Sequence, residues 1–362
     1  MNKFLSLLLL VVFCCASTFS LAKQEEKREY DSCLRTYPSG RIWSPYVVNN
    51  RSEFENSAAP LFLLSSWFER FGNNFMQVKQ ALKYAICCSG RLEIQKKNKH
   101  MPYLHQYLDF SVKTAYTNKD DYTPPKNCST GINHTFFYIP SVMSLPKCQY
   151  DEYSALQYFM FGNDMPYGCI SRNVRCANDL DRTLVVHLRS GDIFSDKPKT
   201  AIHLYRQPPV EYYRTIFQSR KWKKIILVTS IEETSNYNPV WTYFQNVRNI
   251  RAAIGNNYTV FKFQMSSSLD EDMRTLWCAR YFVASSSTLS NMILQTGPFL
   301  REVFAAEKSL FVRCSNYERF SRHGIKCHQI SLPGYNISSF IWNNSKIQRE
   351  EMISYRISPN TN

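Results

Sequence analysis

The chain has 362 residues, of which 44% are hydrophobic, 15% aromatic and 20% charged, a balance that excludes a disordered or fibrous protein and suits sizeable buried cores. Its net charge of +15 invites a nucleic-acid partner, but Lys and Arg are scattered rather than gathered into a stripe. A solvated basic surface that draws in an anionic small molecule, such as a nucleotide sugar, is the better reading, and no nucleic acid is expected as a partner.

Residues 1–22 read as a targeting segment. Lys3 supplies one positive charge, Phe4 to Ala16 is nearly all apolar, and Ser20-Leu21-Ala22 is a small-x-small cleavage pattern followed by the charged stretch Lys23 to Asp31. Counted through to Ala22, the apolar run is about 19 residues, just long enough to cross a bilayer. Two readings therefore stand: a cleaved signal peptide, or the single membrane anchor of a type II protein. Either sends the remainder into the secretory lumen, ER or Golgi. Ten of the twelve Cys follow this segment, an even number that reads as disulfide partners, with Cys169–Cys176 and Cys314–Cys327 as candidate local pairs. Six Asn-x-Ser/Thr sites, at Asn50, Asn127, Asn133, Asn257, Asn336 and Asn343, agree with a lumenal chain carrying glycans on surface loops.

Residues 23–59 read as an irregular stem. An N-terminal, acceptor-side domain is expected over 60–180. In it Leu61 to Leu64 is a short buried strand, Phe71-Gly72-Asn73-Asn74 is turn chemistry, and Phe75 to Ile86 has helical spacing; Leu92 to Ile94 is the next strand. Residues 100–150, rich in Pro, Asn and Tyr, read as loops. From 181 to 335 the pattern becomes regularly α/β. Strands are expected at Thr183 to Leu188, Lys224 to Thr229, Tyr258 to Phe263, Tyr281 to Ala284 and Leu310 to Val312. Helices are expected from Pro209 to Phe217, from Leu269 to Arg280 and, following Ser285 to Thr288, through Leu294, with a short helix or loop over Trp241 to Val247. Residues 336–362 read as a C-terminal tail. Strands alternating with helices predict a parallel sheet covered on both faces, with ligands beyond the carboxyl ends of its strands.

Two strand ends stand out. One is His187-Leu188-Arg189-Ser190-Gly191-Asp192; the other is Ser285-Ser286-Ser287-Thr288-Leu289-Ser290. An Arg offers a planar fork of donors that matches phosphate oxygens, and a Ser/Thr cluster opening a helix offers hydroxyls and outward N–H groups to an anion. Together they suit a pyrophosphate. The plainer alternative makes Arg189 and Asp192 a local ion pair and Ser287 or Thr288 a helix cap.

HLRSGD resembles the HxRxGD signature of the α1,2-fucosyltransferases and of the related α1,6- and protein O-fucosyltransferases. Phe71 to Gln77 (FGNNFMQ) resembles their N-terminal G-N-x-x-x-Q turn, Ile226 to Ser230 a strand of their donor domain, and Leu269 to Ser290 their late segment ending in S-S-T-x-S. The resemblance spans about residues 60–312. It implies a GT-B fold, two Rossmann-type domains facing across a cleft, and metal-free, inverting transfer of fucose from GDP-fucose to a glycan or glycoprotein acceptor. It implies His187 and Arg189 on the GDP moiety, Asp192 ordering the Arg loop, Ser286, Ser287 and Thr288 beside the phosphate or fucose, Asp270 near the base of the nucleotide, and Asn73 and Asn74 facing the cleft. The sequence departs from the pattern at Ser190, where many members carry a second basic residue; restoring it by Ser190→Arg is expected to be tolerated. No residue clearly matches a catalytic base, for which Asp192, Glu232 and Glu233 are candidates and His187 a further one.

Two rival readings remain. Asp179-Leu180-Asp181 and Asp270-Glu271-Asp272 match the DxD pair of a metal-dependent GT-A enzyme, though neither follows an apolar strand. An inactive carbohydrate- or nucleotide-binding relative is the other, with Ser190 as its main argument and Trp43, Trp67 and Trp342 as sugar-stacking candidates.

Overall fold

The computed structural model describes residues 61–64, 71–94, 107–109, 181–194, 207–229, 238–265, 269–307, 309, 312–317, 320–321, 323–335, 342 and 344–357, with Glu55, Ala59 and Cys176. The N-terminal unit is a strand–helix–strand: β1 (Leu61–Leu64), α1 (Phe71–Cys87) and β2 (Arg91–Ile94), with β1 and β2 parallel and β3 (Tyr107–Asp109) antiparallel to β2. The segment expected as a turn, Phe71 to Asn74, is the first turn of α1. Gly and Asn are tolerated at a helix start, and the apolar spacing that follows carries the helix back to Phe71. Only Lys79, Lys83 and Ile86 break the burial of α1 between Asn74 and Cys88, so the helix is packed nearly all round.

The larger unit is a six-stranded, all-parallel sheet in the order β6-β5-β4-β7-β8-β9, with β4 (Thr183–His187), β5 (Lys224–Val228), β6 (Val260–Gln264), β7 (Tyr281–Val283), β8 (Glu302–Ala306) and β9 (Lys326–Ile330). The chain moves outward from β4 to β6, returns to β7 beside β4, and moves outward the other way. That order is compatible with a Rossmann-like sheet. Successive residues of β4 point to opposite faces. Leu184 and Val186 join one buried cluster with α2 (Val210–Gln218), α3 (Pro239–Phe244), α4 (Val247–Ile254) and α7 (Lys346–Ser354). Val185 joins the other, with α5 (Leu269–Trp277) and α6 (Thr288–Thr296). The second cluster continues without a break into Phe62, Leu64, Leu92 and α1, so both sheets share one apolar interior, and Asn291 of α6 reaches Met76 of α1.

Several expected boundaries move. Val312 is not in a strand, and Leu310 and Phe311 lie outside the described residues; the strands after α6 are β8 and β9 instead. The stretch expected as a short helix or loop is two helices, capped by Asn238 and Asn246, with Gly255 closing the second at φ 73°, where a side chain would be strained. Residues 346–354, beyond the boundary expected at 335, form α7, which packs on the larger unit through Met352 and opens with a Ser345–Gln348 capping box. Among the described residues no helix is long and apolar enough to cross a membrane; residues 1–22 lie outside them. The Asn257 sequon sits in an exposed turn before β6, at the amino-terminal edge of the sheet, while the other five sequon asparagines lie outside the described residues.

Cys314 is bonded to Cys327 as expected, but Cys176 is bonded to Cys278 rather than to Cys169. Cys176 approaches β4 and Cys278 follows α5 on the way into β7. Because β4 and β7 are parallel neighbours, their approaches meet, which brings residues 102 apart in sequence to a Cα separation of 5.5 Å. Peptide mapping without reduction should therefore recover a Cys176–Cys278 cross-link. Replacing both with Ser should lower stability by up to about 4.7 kcal/mol, the chain-entropy value for a loop of roughly 100 residues. Recovery of a Cys169–Cys176 peptide would overturn the assignment.

Candidate functional site

The carboxyl ends of β4 and β7 lie side by side where the strand order reverses. His187, the last residue of β4, follows Val185 on the face that carries α6. Its ring is 7% exposed, and its Nδ1 lies 2.8 Å from Ser290 Oγ, 3.0 Å from Ser285 Oγ and 3.4 Å from Ser287 Oγ. Ser290 Oγ also accepts from the backbone N–H of Ser285 at 3.0 Å, and Ser287 Oγ caps α6 by accepting from Ser290 N–H at 3.0 Å. The Ser/Thr run is thus part of the fold: its hydroxyls tie the end of β7 to α6 and both to β4. Burial first, and the Arg189 charge second, push the His187 ring down to about 3, so it is neutral under all ordinary conditions. That makes it too weak to serve as the general base near neutral pH, a role that the sequence leaves open for it.

Arg189 follows at the mouth of the strand, half-buried. Its carbonyl accepts from Asn238 Nδ2 at 3.1 Å. Ser190 turns inward and is 6% exposed; its Oγ accepts from Thr229 Oγ1 at 2.9 Å and from Asn238 N–H at 3.3 Å. Gly191 takes φ 91°, a conformation open to Gly, and Phe194 N–H returns to the Gly191 carbonyl at 2.7 Å to close a turn of 3-10 helix over Asp192–Phe194. Trp342 backs this turn: its Nε1 donates to the Ile193 carbonyl at 2.6 Å and its ring meets Phe194 edge-on. Buried in this way, Trp342 has no face to offer a sugar.

His187, Arg189, Ser286, Ser287 and Thr288 are therefore brought to one edge of the sheet, with Ser286, Ser287 and Thr288 all buried. Helix geometry directs the N–H groups of the first turn of α6 out over that edge. Asn74 is 5% exposed rather than open to a cleft. The side chains of Asn73, Asp192 and Asp270 lie outside the described residues, as do Glu232 and Glu233. Both DxD matches are spoken for where they are described. Asp181 pairs with Arg280 and Arg301 at the amino-terminal edge, the far side of the sheet from Arg189, and Asp272 turns inward to accept from Gln264 Nε2 at 3.0 Å. Sequence reasoning passed over Asn238 and Thr229, whose only signal was an Asn-Pro helix start and a Thr closing an apolar strand.

Two outcomes follow from this geometry. An unfolded His takes up its proton near pH 6.5 and the folded His187 only near 3, so between those values the unfolded state binds more protons. The stability due to neutral His187 is complete above about pH 6.5 and drains as acid is added, by about 2 kcal/mol at pH 5. Urea melts at pH 7 and pH 5 should show that extra loss in the wild type and not in His187→Gln; equal losses would refute it. Ser190→Arg, expected from the sequence to be tolerated, should instead cost stability, because a long cation would replace a buried hydroxyl that satisfies two donors. Ser190→Ala should cost about 1–3 kcal/mol, and Ser190→Arg more, as read by thermal melting; a folded Ser190→Arg protein of wild-type stability would show that the side chain turns outward.

No protein-family model and no curated protein matches this chain.

Proposed function

We propose that the chain is an inverting glycosyltransferase that moves fucose from GDP-fucose to a hydroxyl of a glycan or glycoprotein in the lumen of the secretory pathway. The observation that carries this reading is the hydrogen bonding of His187, two residues before Arg189, to Ser285, Ser287 and Ser290 around the amino-terminal end of α6, at the reversal point of a parallel sheet, the place where such sheets bind nucleotides. The proposed architecture is GT-B, with the β1–α1–β2 unit as the core of the acceptor side and the six-stranded sheet as the donor side.

In the proposed reaction the bond from the fucose anomeric carbon to the β-phosphate oxygen breaks as the acceptor oxygen closes on the opposite face. The leaving GDP gathers negative charge. The Arg189 guanidinium and the positive end of the α6 dipole lie where that charge would grow, and they need no reorganisation as it does. The acceptor proton passes to a carboxylate, for which Asp192, Glu232 and Glu233 are the candidates; neutral, buried His187 supports the phosphate end instead of taking the proton. Metal-dependent GT-A chemistry is disfavoured because Asp181 is committed to ion pairs on the opposite edge and Asp272 to Gln264. The case for an inactive relative weakens as well. Ser190 belongs to the framework that holds the Arg189 loop, so its presence is not the loss of a phosphate ligand.

Calorimetric titration of residues 23–362 with GDP in excess chelator should show binding; binding that requires Mn²⁺ or Mg²⁺ would overturn the reading. With GDP-fucose and a glycan acceptor, Arg189→Ala should lower kcat on the order of a hundredfold or more while changing donor KM far less. Arg189→Lys, which keeps the charge and loses the fork, should recover only part of it. A folded Arg189→Ala protein with near-normal transfer would remove the site.

A further inference from the structure

We infer that Asn238 is a positioning residue for Arg189, acting through the backbone of the loop. This rests on the proposed role of Arg189 for its functional meaning. Asn238 is fully buried, and all four of its polar groups find partners, two in α3 and two in the loop that follows β4. Its Oδ1 accepts from Val240 N–H at 2.9 Å and caps α3; its Nδ2 donates to the Arg189 carbonyl at 3.1 Å; its own N–H donates to Ser190 Oγ at 3.3 Å; its carbonyl accepts from Trp241 N–H at 2.8 Å. One side chain thus joins the start of α3 to the two residues that follow the tip of β4. Thr229, just past the end of β5, completes the link through Ser190 Oγ.

The geometry separates two jobs that one amide performs. The oxygen serves the helix, and the NH₂ group serves the loop. A cap needs only an acceptor, so Ser or Asp at this position would satisfy α3 equally well. Neither can also donate to the Arg189 carbonyl while capping: Asp has no donor when ionised, and the single short hydroxyl of Ser cannot span both partners. Asn is therefore the residue that does both. Asn246, the N-cap of the next helix, provides an internal control. Its side chain accepts from Arg248 N–H at 2.9 Å in an exposed position, and among the described residues it has no hydrogen bond to the Arg189 loop.

The test compares Asn238→Ser, Asn238→Asp and Asn246→Ala in the full lumenal chain, with two readouts. Hydrogen exchange of the peptide covering residues 188–194 should quicken in both Asn238 variants and stay at the wild-type rate in Asn246→Ala, even where Asn246→Ala lowers the melting temperature as much. GDP affinity should fall about three- to tenfold in the Asn238 variants, the equivalent of one hydrogen bond's worth of positioning, and remain unchanged in Asn246→Ala. Wild-type exchange of residues 188–194 in both Asn238 variants would overturn the inference whatever happens to GDP. Quickened exchange with wild-type GDP affinity would limit Asn238 to a structural role and overturn its positioning of Arg189. A wild-type protein that binds no GDP would overturn the nucleotide reading itself, and with it any role for Asn238 in positioning a phosphate ligand.

Discussion

Crossover connections between parallel strands keep one hand, so a sheet that grows outward from β4 on one side and from β7 on the other must carry its helices on opposite faces. The two buried clusters show this division: α2, α3 and α4 cover one face, α5 and α6 the other. Where the direction changes, the helices leaving β4 and β7 diverge and leave the carboxyl ends of both strands uncovered. The candidate site lies at that opening. The HLRSGD loop leaves β4 there and the Ser/Thr run leaves β7 there, 98 residues later in the case of Ser285 and His187.

The two edges of this sheet are held by different chemistry. The amino-terminal edge uses ion pairs: Arg220 with Glu302 at 2.5 Å, and Asp181 with Arg280 and Arg301. The carboxyl-terminal edge uses hydroxyls, an amide and a neutral imidazole. This contrast has a physical basis. A hydroxyl network fixes the backbone at a strand end without adding charge. Buried hydroxyls are costly unless each finds a partner. Here Ser285, Ser287 and Ser290 satisfy one another, the backbone and His187. Burial, and then the nearby Arg189 guanidinium, keep the imidazole unprotonated.

The parts of this fold that were legible in the sequence are those in which burial is one-sided or complete. The TLVVH and KIILV strands are apolar runs because central parallel strands are covered on both faces. The edge strand β9, KCHQI, is half exposed and carries no such run, so it could not be told from a loop, and β8 opens on Glu302 because that residue belongs to the ion-paired edge. Helix α7 left a local signal, Ser345 followed by Gln348 at capping-box spacing, in a segment otherwise too polar to suggest packing. The pairing of Cys176 with Cys278 left none, because it depends on which strands are neighbours. At the site, HLRSGD and SSST were visible as motifs, but the inward turn of Ser190 was not. Its resemblance to a family position usually basic pointed outward, and only the partners Thr229 and Asn238, 39 and 48 residues away, show where its hydroxyl goes.

Ser190 also bears on how a single cation serves a diphosphate. On the proposed reading the leaving group carries more than one negative charge, and the chain sets against it one guanidinium and a helix terminus equivalent to roughly half a charge. A second basic residue would add charge, but only if its side chain reached solvent, and the backbone at 190 directs it into the interior. The alternative left to the chain is precision. A fixed donor stabilises growing charge in proportion to how little it must move to meet it, and the loop bearing Arg189 is held by its carbonyl, by the hydroxyl of the next residue, by the Gly191 turn and by Trp342 behind Ile193. These constraints fall on the backbone of the loop. On the same reading, the general surplus of Lys and Arg across the chain would raise the local concentration of an anionic donor. It cannot choose between ground state and transition state, because it lies at no fixed distance from the breaking bond. On the proposed reading that discrimination falls to Arg189, whose loop is held by the hydroxyl and amide framework beneath it.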